Sequence, residues 1–228
     1  MKTSAFYAVI GIGVLIVLGF VWYGLAHKSV EESNSGDTKT TFVPVSEGSA
    51  IYTNGEFGFL LLYPENALVE EKSVSSYHLP ASWRDGASGE ATGKSLVSII
   101  TYTTTSDHSY PRYYTSAVRI GVSSDSAEVS RCEVADTSLG ETALPDVLLG
   151  EATFKVFSFQ NAGMMQYVKG ESYRRVEHGT CYAIERIAMG SSYRDDAPSS
   201  EDISDEELTR QYDLLLPIVE SFRFAVGE

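Results

Sequence analysis

Residues 152–189 read ATFKVFSFQNAGMMQYVKGESYRRVEHGTCYAIERIAM. β-branched and aromatic residues recur through three runs, Ala152–Gln160, Met165–Val176 and Thr180–Met189, the types that fit a pleated, half-buried surface. Between the runs stand Asn161-Ala162-Gly163 and Glu177-His178-Gly179, which suit tight turns. The spacing predicts three consecutive antiparallel strands, and the rest of the chain is read outward from them.

Toward the C-terminus an acidic loop spans Ser191 to Ile203, and Ser204-Asp205-Glu206-Glu207 then has the S-x-x-E spacing of a capping box. Leu208, Tyr212 and Leu215 recur at four and three residues, giving one apolar stripe of a helix. Pro217 breaks or restarts that helix, because its ring clashes with the carbonyl four residues back. Ser221-Phe222-Arg223-Phe224 is expected to close as a last short strand.

Toward the N-terminus, Asn54-Gly55 marks a turn before an apolar run from Phe57 to Tyr63. Both faces of that run are apolar, which predicts a central strand covered on both sides. Pro64 ends it, since proline cannot donate to a ladder. Further strands are expected at about Leu96–Thr103 and Ala117–Val122, with loops over 73–94 and from Ser106 to Ser116. Between Ser123 and Pro145 the pattern is mixed and compatible with a short helix.

From Ala5 to Ala26 the chain has no charged residue. At about 1.5 Å per residue the run reaches roughly 33 Å, enough for a hydrocarbon core of about 30 Å. Gly24-Leu25-Ala26 offers a small-x-small cleavage site, but the stretch exceeds the usual signal-peptide h-region. The expectation is a retained signal anchor. Residues 1–28 are read as a short N-terminal segment and transmembrane helix, 29–49 as a flexible stalk, and 50–228 as an extracytoplasmic domain. The fold class is α+β: the transmembrane helix, an antiparallel sheet, and a C-terminal amphipathic helix.

Cys132 and Cys181 both follow the hydrophobic run, and an even pair suits an oxidising compartment. They are expected to form a disulfide, although two buried thiols are the other reading. The pair, more than the weakly biased flanking Lys2 and Lys28, places the N-terminus inside and the domain outside the cytoplasmic membrane. The chain carries a formal charge of −14, from 17 basic and 31 acidic side chains. Two of the 17 lie within residues 1–28, so the remainder carries −16. Such a surface repels nucleic acid, whose phosphates need clustered Lys and Arg.

The opening Y-x-N-x-x-F-G-F-x-x-x-Y-P at Tyr52 to Pro64 resembles the start of PsbP/Mog1-like domains. The close at Ile218-Val219-Glu220-Ser221-Phe222-Arg223-Phe224 is similar to how such domains end. The resemblance implies an antiparallel sheet flanked by helices and carries no catalytic residue. Better-known members are assembly factors or binding adaptors, which favours a non-enzymatic role.

The chemistry-bearing motifs are sparse. Gly89 to Ser95 (GEATGKS) has three residues between its glycines where a phosphate loop needs four. His27, His78, His108 and His178 show no metal-ligand spacing. His178 near Cys181 raises a nucleophilic pair, against a turn residue beside a structural cysteine. The acids from Asp195 to Glu207 lack the D-x-D-x-D-G order of a calcium loop. No catalytic, cofactor or metal residue is assigned. The candidate partner surface is His108, Tyr110, Arg112, Tyr113 and Tyr114, since tyrosine and arginine are enriched at binding hot spots. The other reading is that these rings cover a sheet edge.

The sequence therefore predicts a membrane-anchored binding or scaffolding module of the bacterial cell envelope, bound to the membrane through residues 5–26 and using no cofactor. The alternatives are an envelope hydrolase acting on wall material, with a pocket gathering dispersed groups, or a sensory ectodomain.

Overall fold

A computed structural model of the protein describes residues 48–71, 82–87, 90–105, 113–163, 166–191 and 203–225. The hydrophobic run 5–26, most of the stalk, and His108, Tyr110 and Arg112 lie outside the described residues.

Two antiparallel sheets make up the domain. Seven strands form the larger one: β3 (Leu68–Glu71), β4 (Lys94–Thr105), β5 (Tyr113–Ser123), β6 (Thr142–Leu149), β7 (Ala152–Gly163), β8 (Gln166–Glu177) and β9 (Thr180–Ser191). Their order is β3-β4-β5-β9-β8-β7-β6. Two meanders, β3 to β5 and β6 to β9, thus meet along a β5–β9 seam. The smaller sheet has the order β1-β2-β10, from Ser49–Asn54, Phe59–Pro64 and Arg223–Phe224.

The expected α+β class is corrected here. Strands hold 58% of the described residues. The α-helices are short: α1 (Ser126–Arg131), α2 (Asp205–Asp213) and α3 (Leu216–Glu220). No helix among the described residues is long and apolar enough to cross a membrane. The physical reason is what covers the large sheet. The apolar rows of that sheet are met by a second sheet, so helices are needed only at one end.

Phe59 and Leu61 from β2, with Phe222, pack in one cluster with Ile120, Ile184 and Phe154 of the large sheet. Phe59 and Phe222 stack at 5.3 Å, and Phe154 meets Phe222 edge-on at 5.7 Å. Leu215, Ile218 and Val219 complete this core from the C-terminal helices. Ser204 caps α2 by accepting from the Glu207 N–H at 3.2 Å, as the capping box predicts. Pro217 sits in the first turn of α3, where its missing N–H costs nothing.

The β8–β9 hairpin turns at His178 and Gly179, with φ of 48° and 76°. Asn161, Ala162 and Gly163, expected as a turn, are instead paired with Val168, Tyr167 and Gln166. The ladder overrides their turn preference. Three strands fall where none was named, β1, β3 and β6.

The second face of the large sheet is covered by chain without strands. The connection from β5 to β6 runs from the seam to the far edge, carrying α1 and a 3-10 turn at Thr137–Leu139. Cys132, closing α1, is disulfide-bonded to Cys181 at the start of β9, with Cα atoms 5.7 Å apart. Residues 82–87 lie on the same face as a strap. Trp83 is 2% exposed and shares a cluster with both cysteines and Ala183.

Candidate functional site

Alternation along the strands gives the large sheet two chemically different faces, and each carries a cleft. On the face toward α2, side chains of β5, β7, β8 and α2 enclose about 310 Å³. Its walls are Tyr114, Tyr167 and Tyr212, with Gln160, Lys169 and Glu171 among the polar lining.

Two of these walls, Tyr114 and Tyr212, are held in place by hydrogen bonds. The Tyr114 hydroxyl donates to the Leu208 carbonyl at 3.0 Å, tying β5 to α2. The Tyr212 hydroxyl donates to the Arg186 carbonyl at 3.3 Å, and the Arg186 guanidinium lies 4.1 Å from the Tyr212 ring centre. Glu171 is neutralised where it stands: Arg186 reaches it at 3.2 Å and the Tyr173 hydroxyl donates to it at 2.6 Å. Burial pushes the Tyr114 and Tyr173 hydroxyls well above the ordinary phenol range, so both stay protonated. Lys169 is exposed at the rim, with its ammonium 6.0 Å from the centre of the Tyr167 ring. The cleft thus offers ring surface, hydroxyl and amide groups, and one unburied positive charge.

The opposite face is ionic. Arg119 and Arg174 are fully buried, and Arg84, Asp85, Glu128, Glu141 and Glu185 are at most 7% exposed. Arg119 donates to Glu185 through Nε at 3.0 Å and Nη2 at 2.5 Å. Arg174 donates to Glu141 at 2.6 Å while its guanidinium lies 3.8 Å from the Phe157 ring centre. Arg84 approaches Glu141 at 3.5 Å and Glu128 at 3.8 Å, and Arg131 also holds Glu128. Burial and the Glu185 charge push the Asp85 carboxyl up to about 7. A cleft of about 360 Å³ opens beside this cluster, lined by Asp85, Glu128 and Asp136 among others.

A hydrolase would need such a gathering of dispersed carboxyl groups. Here Glu128 is committed to two arginines, and Asp136 accepts from the Ser138 N–H at 3.0 Å as the cap of the 3-10 turn. The Ser138 hydroxyl also donates to Asp136, at 2.5 Å, within the same cap, and among the described residues no histidine is hydrogen-bonded to these carboxylates.

Of the five residues expected to form a partner surface, two are described. Tyr114 is 3% exposed and belongs to the cleft wall, and Tyr113 packs against Ala117, Ile187 and Met189 on the other face. Adjacent residues on one strand point apart, so the two rings cannot make one contact patch. Cys181 is held in the disulfide and His178 is 93% exposed at its turn, so the pair forms no nucleophile. Lys94, the lysine of the GKS stretch, pairs with Glu56 at 2.7 Å over the Phe57 ring.

Sequence reasoning missed Tyr167, Lys169 and Tyr212 as a group, although each was visible on a predicted strand or helix. Position on one face was legible for Tyr167, Lys169 and Glu171, which alternate along β8. That α2 folds over them was not.

No protein-family model matches the chain, and no curated protein matches it.

Proposed function

We propose that this protein is a binding module of the cell envelope, tethered through residues 5–26 with its domain on the outer side of the cytoplasmic membrane. The disulfide supports an oxidising compartment for the folded part. The uncharged run Ala5–Ala26 supports the tether. The resemblance of Tyr52–Pro64 and Ile218–Phe224 to PsbP/Mog1-like domains favours an adaptor over an enzyme.

The tyrosine cleft carries the reading. Rings braced by hydrogen bonds give contact area at little entropic cost, and a few polar groups at the rim fix orientation. With Glu171 neutralised by Arg186 and Lys169 exposed at the rim, the cleft favours a neutral or weakly anionic chain. A weakly charged, hydroxyl-rich chain such as a wall glycan suits it best.

The test is retention of the full chain, in detergent micelles, on insoluble cell-wall polysaccharide. Tyr167→Ala and Lys169→Ala should each lower retention about tenfold, the loss of one good contact of roughly 1.4 kcal/mol. Retention equal to the parent in both variants, with unchanged circular dichroism, would remove the cleft from the reading.

A further inference from the structure

The strap Ser82–Ala87 is held by Arg84, which reaches Glu141 and Glu128 at 3.5 and 3.8 Å, and is fastened to the large sheet itself at two points. The first is Trp83, whose ring occupies the space beside Gly93 and whose carbonyl oxygen presses on Gly121. A Cβ at position 121 would stand 1.7 Å from that oxygen. The second is a clasp: the Asp85 backbone N–H donates to both carboxylate oxygens of Glu185, at 2.8 and 3.0 Å. Glu185 projects from β9 and is itself held by Arg119 of β5. The strap adds no strand to either sheet.

The clasp brings the Asp85 carboxyl into a buried neighbourhood already rich in acid. Glu185 faces it from β9, Glu141 from the start of β6, and Glu128 and Asp136 from the α1 connection. The positive charges around it are Arg119 of β5, Arg174 of β8, Arg84 of the strap and Arg131 of α1. Each of the four is engaged on a glutamate: Arg119 on Glu185, Arg174 on Glu141, Arg84 on Glu141 and Glu128, and Arg131 on Glu128. Arg119 and Arg84 favour the ionised Asp85 carboxyl, but burial and the Glu185 charge outweigh them, so ionising both carboxyls in the closed strap is costly.

We propose that Ser82–Ala87 is a proton-controlled latch, shut while Asp85 carries its proton and released from the sheet when Asp85 and Glu185 are both ionised. The ionisation of Asp85 at about 7 puts the change in the neutral range. The sign follows from the raised value: closure is favoured most below the ordinary 3.8 and weakens as pH rises through about 7. Release exposes Trp83, the neighbouring disulfide, and the Arg119–Glu185 row beneath. The latch lies on the face opposite the tyrosine cleft, so it stands or falls separately from the function proposed above.

Trp83 reports the latch directly once Trp22, the only other tryptophan, is replaced by Phe. Acrylamide quenching of the full-length Trp22→Phe chain, in detergent, would be followed from about pH 5.5 to about pH 8.5. We expect the quenching constant to rise severalfold with a midpoint near 7, with unchanged far-UV circular dichroism. Asp85→Asn on that background should hold the low value throughout, and Asp85→Ser serves if the amide variant does not fold. A flat profile in the parent overturns the proposal, as does the same rise in a folded neutral variant.

Discussion

Arg119 and Glu185 stand directly opposite each other across the β5–β9 seam, with side chains 0% and 1% exposed and a shortest contact of 2.5 Å. They join the two meanders at the one strand pair that links them. A one-residue slip of that pairing would send one partner to the apolar face, so the pair holds the register as well as the strap.

Removing one partner leaves the other charged and buried. Glu185→Ala should therefore cost about 3–5 kcal/mol in urea unfolding at neutral pH. A double replacement, Arg119→Met with Glu185→Leu, should recover most of that loss, because desolvation offsets much of the pair's attraction. Equal losses in the single and double variants would contradict this account.

The Cys132–Cys181 bond closes a separation of 49 residues between α1 and β9. Replacing both cysteines by Ser should lower stability by about 4 kcal/mol in the chain-entropy picture. Native protein should show no alkylation before reduction and two modified cysteines after it, read by mass spectrometry. Alkylation without reductant would contradict the bond.

Gly121 is required by contact, and its backbone conformation is ordinary for a strand. Gly121→Ala puts a methyl group against the Trp83 carbonyl, which is backbone and cannot swing aside. The expected cost is about 1–3 kcal/mol, with a change in Trp83 emission that Gly55→Ala, in open space, should not produce.

Two carboxyls shape the pH dependence in opposite directions. Glu207 is held down to about 2 by hydrogen bonds from Arg210 and Gln211, so its contribution is present above 4.5 and lost as pH falls toward 2. Asp85 is raised, so its contribution is present below 3.8 and lost as pH rises through about 7. Asp85→Asn should flatten the decline between about pH 5 and 8 in urea midpoints, and Glu207→Gln should flatten the acid limb.

Much of the framework was legible because it is local. The β8–β9 hairpin announces itself in Glu177-His178-Gly179, and the α2 start in Ser204 and Glu207, since turns and caps are made within four residues. The disulfide partners were legible because only two cysteines exist. Strand ends were less so, as Asn161 to Gly163 show: ladder hydrogen bonds with β8 outweigh their own preference.

What the sequence determined by itself was a run of antiparallel strands, a capped C-terminal helix and a single cysteine pair, all products of neighbours along the chain. Tertiary structure alone decided that β1 and β2 would join Arg223 and Phe224 in a second sheet, with Leu60 opposite Arg223 and Phe59 opposite Phe224, which turned an expected α+β domain into a mostly β one. It also decided that Trp83 and Asp85, in a stretch without apolar period, would be buried against residues about 100 positions away. Arg119 and Glu185 look like surface charges one at a time. Only the pairing of β5 with β9 and the strap laid over them take both out of water, where each becomes the other's necessary partner.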